Sequence, residues 1–279
     1  MQTTTYTAGE ATLTVLDSGL LLYDMAEGLG QPEAAWRGRY DAYFEQPLQV
    51  PMQHVLVRTP QLTLLVDAGS YDLPEDSPIR VPGYTPPPSI PDQLRALGVA
   101  PERVEHLVIT HLHLDHYNGL TEEKEGRRVL AFPNAQTYIG RADWENPALQ
   151  ERVQQPGTAQ AATLGEVARQ GLLRLVDEAR LLAPGVEILP LPGETLGHLG
   201  VRVLSGEEQV YIVGDLYHHW VEVEQPSWHV TWADAKYMAV SRSLLTRRAL
   251  ARRALIIASH IPGAGRLVET EDGLRWAAA

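Results

Sequence analysis

The stretch Thr110-His111-Leu112-His113-Leu114-Asp115-His116 constrains this chain more than any other. It follows Val104-Glu105-His106-Leu107-Val108-Ile109, which reads as a strand. Ionisable side chains packed into a core each need a polar partner, and so many crowded together are hard to satisfy by packing. A metal ion partners all of them at once. His111 and His113 are two apart in an extended segment, so they point to the same side. The chain must then turn before Asp115 and His116 can face a second position nearby. That pattern suits two metal ions better than one.

Two metals need further ligands. The chain has no cysteine, so disulfides, thiolate sites and cysteine nucleophiles are excluded, and the ligands must be histidine or carboxylate. Zinc, manganese, iron and cobalt accept such a set. Three residues stand where an apolar strand meets a loop beside glycine or another small residue. His198 follows Pro192-Gly193-Glu194-Thr195-Leu196-Gly197, Asp215 follows Val210-Tyr211-Ile212-Val213-Gly214, and His260 follows Leu255-Ile256-Ile257-Ala258-Ser259. Strand ends on one sheet edge converge in space. The candidate ligands are therefore His111, His113, Asp115, His116, His198, Asp215 and His260. His54, His106 and His229 read as structural, and His219 as a surface or core residue.

The remaining pattern is of strands followed by helices, twice. Ala11 to Tyr23 predicts strand, turn and strand with a break at Asp17-Ser18-Gly19. Met52 to Arg58 and Thr63 to Asp67 predict a hairpin. Gly28 to Pro47 is irregular and aromatic, a short helix or a flap. Prolines at 74, 78, 82, 86, 87, 88 and 91 make 70–91 a long loop. A helix is expected over Pro91 to Leu97 with Ser89 near its start, and others over Arg141 to Trp144, Thr158 to Leu172 and Ala233 to Arg253. The arginines of the last helix, Arg242 among them, read as a solvated face. Further strands are expected at Arg128 to Phe132, Thr137 to Ile139, Leu173 to Val176, Val186 to Leu191, Val201 to Leu204, Gln209 to Val213 and Leu255 to Ala258, with small ones near the end. No linker divides the chain, so residues 1–279 are expected to form a single domain with a proline-rich insertion at about 70–91. The net charge of −12 argues against nucleic acid. The first residues lack a signal-peptide pattern, and no apolar run is long enough for a membrane span. A cytoplasmic protein is expected.

These motifs, in this order, resemble the metallo-β-lactamase-fold hydrolases from about Thr12 to Trp276. Thr110 to Gly119 is similar to their signature metal motif and Thr63 to Gly69 to the earlier Asp-x-Gly strand end. Gly193 to His198, Gly214-Asp215 and Ser259-His260 are similar to the later motifs. The resemblance implies an α/β fold, an αββα sandwich of two mixed β-sheets flanked by helices, with a dinuclear site at one edge. It implies that His111, His113 and His198 hold one metal, that Asp115, His116 and His260 hold the other, and that Asp215 bridges. The cofactors would be two divalent metal ions, zinc first, with manganese, iron or cobalt as alternatives. Such a pair, ~3.5–4 Å apart, supplies a bridging hydroxide near neutral pH and polarises the bond under attack. Asp115 could also shuttle a proton, and Asp67 would support the loop.

Departures narrow the class. Asp215 stands where antibiotic-degrading lactamases have a cysteine. The chain after His260 is too short for the C-terminal domain of glyoxalase II. No exosite arm of the transfer-RNA processing nucleases is seen, and His113 stands where di-iron oxygen reductases have glutamate. Gly214-Asp215-Leu216-Tyr217-His218 resembles the quorum-quenching N-acyl-homoserine lactonases and the methyl-parathion-hydrolase-like branch. In the lactonases a tyrosine near the bridging aspartate assists the carbonyl. Here that offset holds His218, with Tyr217 one residue earlier, so both are candidates for contact with substrate. The expected reaction is hydrolysis of a small-molecule lactone or ester, N-acyl-homoserine lactonase-like. The alternative is phosphotriester (organophosphate) hydrolysis, and behind both stand a nuclease and a non-catalytic metal-binding protein. The branch also admits a homodimer, which no residue here marks.

Overall fold

Along Leu48–Arg58 the side chains alternate between two cores. The structure, a computed structural model, describes residues 3–69, 77–83 and 85–279. Val55 and Val57 face one apolar cluster and Leu56 faces another. This is the period-two signature of a strand buried on both faces. It is repeated by Leu64, Leu65 and Val66 in Thr63–Val66. Each such side chain, fully buried, contributes about 1.5–3 kcal/mol.

Two seven-stranded mixed sheets result among the described residues. The first runs in sequence order through Thr4–Ala8, Ala11–Tyr23, Leu48–Arg58, Thr63–Val66, His106–Val108, Gln136–Gly140 and Leu173–Val176. The second runs through Arg180–Ala183, Val186–Pro190, Leu199–Ser205, Glu208–Ile212, Leu255–Ile257, Gly265–Thr270 and Gly273–Ala278. Leu13, Val55 and Val66 of the first sheet pack on Ile188, Val201 and Ile212 of the second. The outer face of the first sheet is covered by Ile90–Ala96 and Leu164–Arg169 through Leu94 and Val167. The outer face of the second is covered by Ala235–Arg252 through Met238, Leu245 and Ala249. This is the αββα sandwich.

Several elements differ from expectation for local reasons. Ala11–Tyr23 is one strand, not two. Its pairing with Leu48–Arg58 shifts register between Asp17 and Leu20. Asp17 Oδ1 accepts the Gly19 N–H at 2.6 Å, so the turn signal marks a bulge. The expected helix over Thr158 to Leu172 breaks at Thr163 into Ala159–Ala162 and Leu164–Arg169. The aromatic segment forms three short helices, Met25–Leu29, Glu33–Trp36 and Asp41–Phe44. Trp36, Tyr40 and Phe44 pack there against Val221 and Trp228. Ser89 caps Ile90–Ala96 by accepting the Asp92 N–H. Of the proline-rich stretch, residues 70–76 and 84 lie outside the described residues. No helix among the described residues is long and apolar enough to cross a membrane.

Candidate metal centre

Two parallel strand pairs aim their C-terminal ends at one edge. Thr63–Val66 runs parallel to His106–Val108, and Glu208–Ile212 runs parallel to Leu255–Ile257. Asp67, Thr110 to His116, Asp215 and His260 therefore emerge side by side. Backbone bonds lock the loops that carry them. Leu199 N donates to Thr110 O at 2.7 Å and ties the two sheets together. Ser259 N donates to Gly214 O at 3.0 Å, and Ala68 N to His116 O at 2.8 Å. His113 is still extended, and Leu114–Tyr117 forms a single helical turn. That is the turn the motif required between its two pairs of candidate ligands.

The side chains gather into two groups. Ligand atoms of His111, His113, Glu194 and Asp215 lie within 4.8 Å of one another, and so do those of Asp115, His116 and His260. Asp215 Oδ2 sits between the groups, 3.7 Å from His111 Nε2, 3.4 Å from His116 Nε2 and 3.1 Å from His260 Nε2. Six of the seven candidates from sequence are thus brought together, with Glu194 in addition. His198 is fully buried beside them, its ring centroid 5.3 Å from that of His111. It belongs to neither group. Its Nε2 accepts the Asp215 backbone N–H at 3.2 Å.

The donor set suits divalent cations. His116 Nε2, Asp215 Oδ1 and Glu194 Oε2 are buried atoms with no hydrogen-bond partner, and buried polar atoms without partners are costly. Burial, then the neighbouring His116 and His113, holds the His111 pKa well below its ordinary value. Burial brings His198 down to about 3. Both are neutral at pH 7, the form in which imidazole binds a metal. Burial opposes the charged form of His116, but Asp115, Asp215 and Asp67 outweigh it and hold its pKa well above the usual range. Burial also lifts the Glu194 carboxyl to about 7, although His218 pulls the other way.

Supporting groups fix this geometry. Asp67, at φ 62°, accepts from Thr110 N at 2.7 Å and Thr110 Oγ1 at 2.9 Å, and lies 2.9 Å from His116 Nδ1. It thereby orients a ligand from behind. His218 reaches the site, with Nε2 3.4 Å from Asp215 Oδ2 and 3.8 Å from Glu194 Oε1. Its ring stacks between Tyr23 and His260. Tyr217 points the other way, into the core under the Arg242 guanidinium. Alternation along the extended backbone at Tyr217 separates the two. Arg242 is buried, which corrects the reading of its helix as a uniformly solvated face. It pairs with Glu222, whose carboxylate also accepts the backbone N–H groups of His218 and His219. His54 is buried near His116, and burial lowers its pKa to about 4. His106 and His229 lie away from the groups, bonded to Tyr138 and to the Val230 carbonyl. His219 packs against Tyr43 and Trp220.

Sequence reasoning missed Glu194, Trp232, Tyr23 and the Glu222–Arg242 pair. Glu194 had a signal: a carboxylate directly after Pro-Gly at a strand end, in the loop that was read for His198. The others had none, because only tertiary packing joins them. A cavity of about 430 Å³ opens beside the first group, lined by Leu112, His113, Leu149, Glu194, Leu196 and Trp232.

A sequence profile of the metallo-beta-lactamase superfamily matches residues 54–260. A probable metallo-hydrolase of Mycobacterium tuberculosis is 28% identical over 140 residues, 46% of this chain and 41% of that protein. The N-acyl homoserine lactonase AiiB of Agrobacterium fabrum is 26% identical over 170 residues, 56% of this chain and 59% of that one. These matches thus take in less than two thirds of either relative. Among solved structures, AidC, a dizinc quorum-quenching lactonase, superimposes with a TM-score of 0.77 at 20% identity, covering 99% of this chain and 97% of that one. The hydrolase AbOPH gives 0.74 at 22% identity, with 99% and 97% covered.

Proposed function

The chain belongs to the metallo-beta-lactamase superfamily, and from that premise we propose that it is a metal-dependent hydrolase of lactones or esters, with N-acyl homoserine lactones as the first substrate class to test. The observation that carries this reading is Asp215, whose carboxylate lies between two groups that each hold a histidine pair and a further carboxylate. His111, His113 and Asp215, with His198 buried beside them, would hold one divalent ion, and Asp115, His116, His260 and Asp215 the other. Two such ions lower the pKa of a shared water and polarise the carbonyl.

The protein's own groups do the rest. Asp115 Oδ2, 3.3 Å from His116 Nε2 and 3.5 Å from His260 Nε2, is held ionised, the form in which it can ligate a cation. Burial opposes that charge, but His116 and His260 outweigh it and keep its pKa below the usual range. His218 Nε2 offers a hydrogen bond beside Asp215 Oδ2, on the side where the ring stacks with Tyr23. Leu112, Leu149 and Leu196 give the neighbouring cavity apolar wall suited to an acyl chain.

The test is turnover of the metal-loaded protein on three panels: N-acyl homoserine lactones of increasing chain length, aryl esters, and dialkyl aryl phosphates. Lactone hydrolysis with the highest kcat/KM supports the reading. Preference for the phosphates moves the assignment to triester hydrolysis. No turnover on any panel with zinc, manganese, iron or cobalt sinks it.

A further inference from the structure

We propose that Tyr23 is a positioning residue for His218: its ring, seated on Gly28, forms one wall of a slot that holds the His218 imidazole with Nε2 turned toward the centre. This rests on the hydrolase reading above, in which His218 offers substrate a hydrogen bond, and it names what keeps that group in place. Tyr23 closes the strand Ala11–Tyr23, opposite Leu48. Its ring centroid lies 5.6 Å from that of His218, with the planes 7° apart. On the other face of the imidazole is His260, at 5.7 Å and 12°. Trp232 meets it edge-on at 6.2 Å and 87°. Offset-stacked and edge-to-face pairs at these separations are the favoured ring geometries. The two nitrogens are told apart as well. Nε2 is 3.4 Å from Asp215 Oδ2, and Nδ1 is 3.7 Å from Glu222 Oε2.

Each contact removes a different freedom. Glu222 accepts the backbone N–H groups of His218 and His219 and is itself paired with Arg242, so it fixes the main chain. Those bonds leave the imidazole free to turn about its Cα–Cβ bond. The stacked faces remove that rotation. His260 is a candidate ligand, which leaves Tyr23 as the wall that is no part of the centre. Tyr23 is held in turn by its seat. A Cβ at Gly28 would stand 2.5 Å from the Tyr23 hydroxyl oxygen and 2.8 Å from Cζ, so any larger residue there would push the ring away. Thr231 N donates to Gly28 O at 2.9 Å and ties the seat to the segment before Trp232. The Tyr23 hydroxyl is buried without a hydrogen-bond partner. Such a group costs stability. The ring, rather than the hydroxyl, is therefore what this position uses. A donor misplaced by about 1 Å can lose on the order of 100-fold in rate, so loss of the wall is felt in the chemical step.

The test combines kinetics with a spectrum. Tyr23→Leu, Tyr23→Phe, His218→Gln and the double variant Tyr23→Leu/His218→Gln are made in the full chain, loaded with zinc and checked for folding by circular dichroism. On the best substrate of the panels above, Tyr23→Leu should lower kcat by roughly 3–10-fold, the range an aromatic pair contributes. KM should stay nearly constant, because the contact is one made in the transition state. Tyr23→Phe should recover most of the loss. Once His218 is absent, Tyr23→Leu should cost little more, since the two act as a unit. Independently of turnover, NMR of histidine-labelled protein follows the His218 ring, assigned by its disappearance in His218→Gln. Its signals should shift in Tyr23→Leu and hold in Tyr23→Phe. Should Tyr23→Leu not fold, Gly28→Ala displaces the ring from its seat and should move the same signals. Equal damage from Tyr23→Phe and Tyr23→Leu would overturn the proposal and give the role to the phenol oxygen. Additive losses in the double variant would reduce Tyr23 to a packing residue, and His218 signals that ignore Tyr23→Leu would do the same. Full activity in Tyr23→Leu, with the natural chain active, sinks this proposal and leaves the hydrolase standing. If the natural chain turns over nothing, both fall together.

Discussion

Arg242→Met should be among the most damaging single changes outside the metal ligands. The guanidinium is buried at 3% exposure and all of its bonds go to buried groups. It donates to Glu222, to the Trp228 carbonyl, and through Nε to the Leu216 carbonyl at 2.9 Å. Methionine keeps much of the stem's packing and removes every donor. Removing one partner of a buried ion pair costs about 3–5 kcal/mol, because the other charge is left uncompensated. At about 2 °C per kcal/mol for a chain of this size, the melting temperature should fall by roughly 6–10 °C. The assay is thermal unfolding followed by circular dichroism with chelator present, so that metal binding does not contribute. The double variant Glu222→Gln/Arg242→Met should recover part of the loss, since no charge is then stranded.

A pH series gives an independent check. Burial would raise the Glu222 pKa, but Arg242 outweighs it and, with His218, brings the value from 4.5 to about 2. The folded state thus binds that proton less readily than the unfolded chain. The pair's stabilisation is fully present above about 4.5 and is lost as pH falls through that window toward 2. The gap between the natural chain and Arg242→Met should therefore narrow with falling pH. A melting difference under about 2 °C at pH 7, or a gap that stays constant on acidification, would mean that Arg242 behaves as a solvated helix residue. The burial argument would then be wrong.

Three further outcomes are expected. Asp67→Asn keeps the shape but loses the carboxylate that faces Thr110 and His116, so metal affinity measured by calorimetry should fall about 10–100-fold, and unchanged affinity would remove Asp67 from the centre's support. Saturating metal should raise the melting temperature over the chelated protein, by about 4 kcal/mol or roughly 8 °C at a thousandfold excess over Kd, and a flat difference in scanning fluorimetry would exclude folded-state metal binding. In Gly140→Ala the new Cβ would lie 1.9 Å from the Gly197 carbonyl oxygen. The loop from Gly193 to His198 must then move, and both stability and metal affinity should drop, whereas a silent substitution would show that this loop is soft.

How far the sequence could be read depended on whether a signal was local. Alternation over Met52 to Arg58 is local, and it made that strand and its neighbour over Thr63 to Asp67 visible before either had a partner, though the first begins earlier, at Leu48. The helix read over Ala233 to Arg253 forms as Ala235–Arg252, its start set by Asp234, which accepts the Lys236 and Tyr237 N–H groups. Bulges and broken helices are another matter. Asp17-Ser18-Gly19 has the chemistry of a turn, and only a strand paired continuously on its other side converts that turn into a bulge. Thr163 breaks a helix whose apolar spacing runs on past it. Arg242 carries the same lesson in charge: a helix rich in arginine reads as wet until one turn of it meets a buried glutamate.

The metal centre shows the same boundary at the level of single atoms. Thr110 to His116 declared itself because its ligands are contiguous and their spacing alone implies two positions. The loop from Pro192 to His198 holds two ligand types four residues apart, and the sequence reading took only His198, for its place before a strand and for the motif it resembles. Backbone geometry separates them. The Leu191 N–H donates to the His198 carbonyl at 2.8 Å, at the mouth of the next strand, so His198 is drawn into sheet pairing with its ring against the Asp215 backbone. Glu194 lies one turn of loop earlier, beyond the strand, where a side chain can reach across to His113 at 3.4 Å. Position relative to the strand end thus sets how each of the two side chains meets the centre, His198 against Asp215 from behind and Glu194 across from His113.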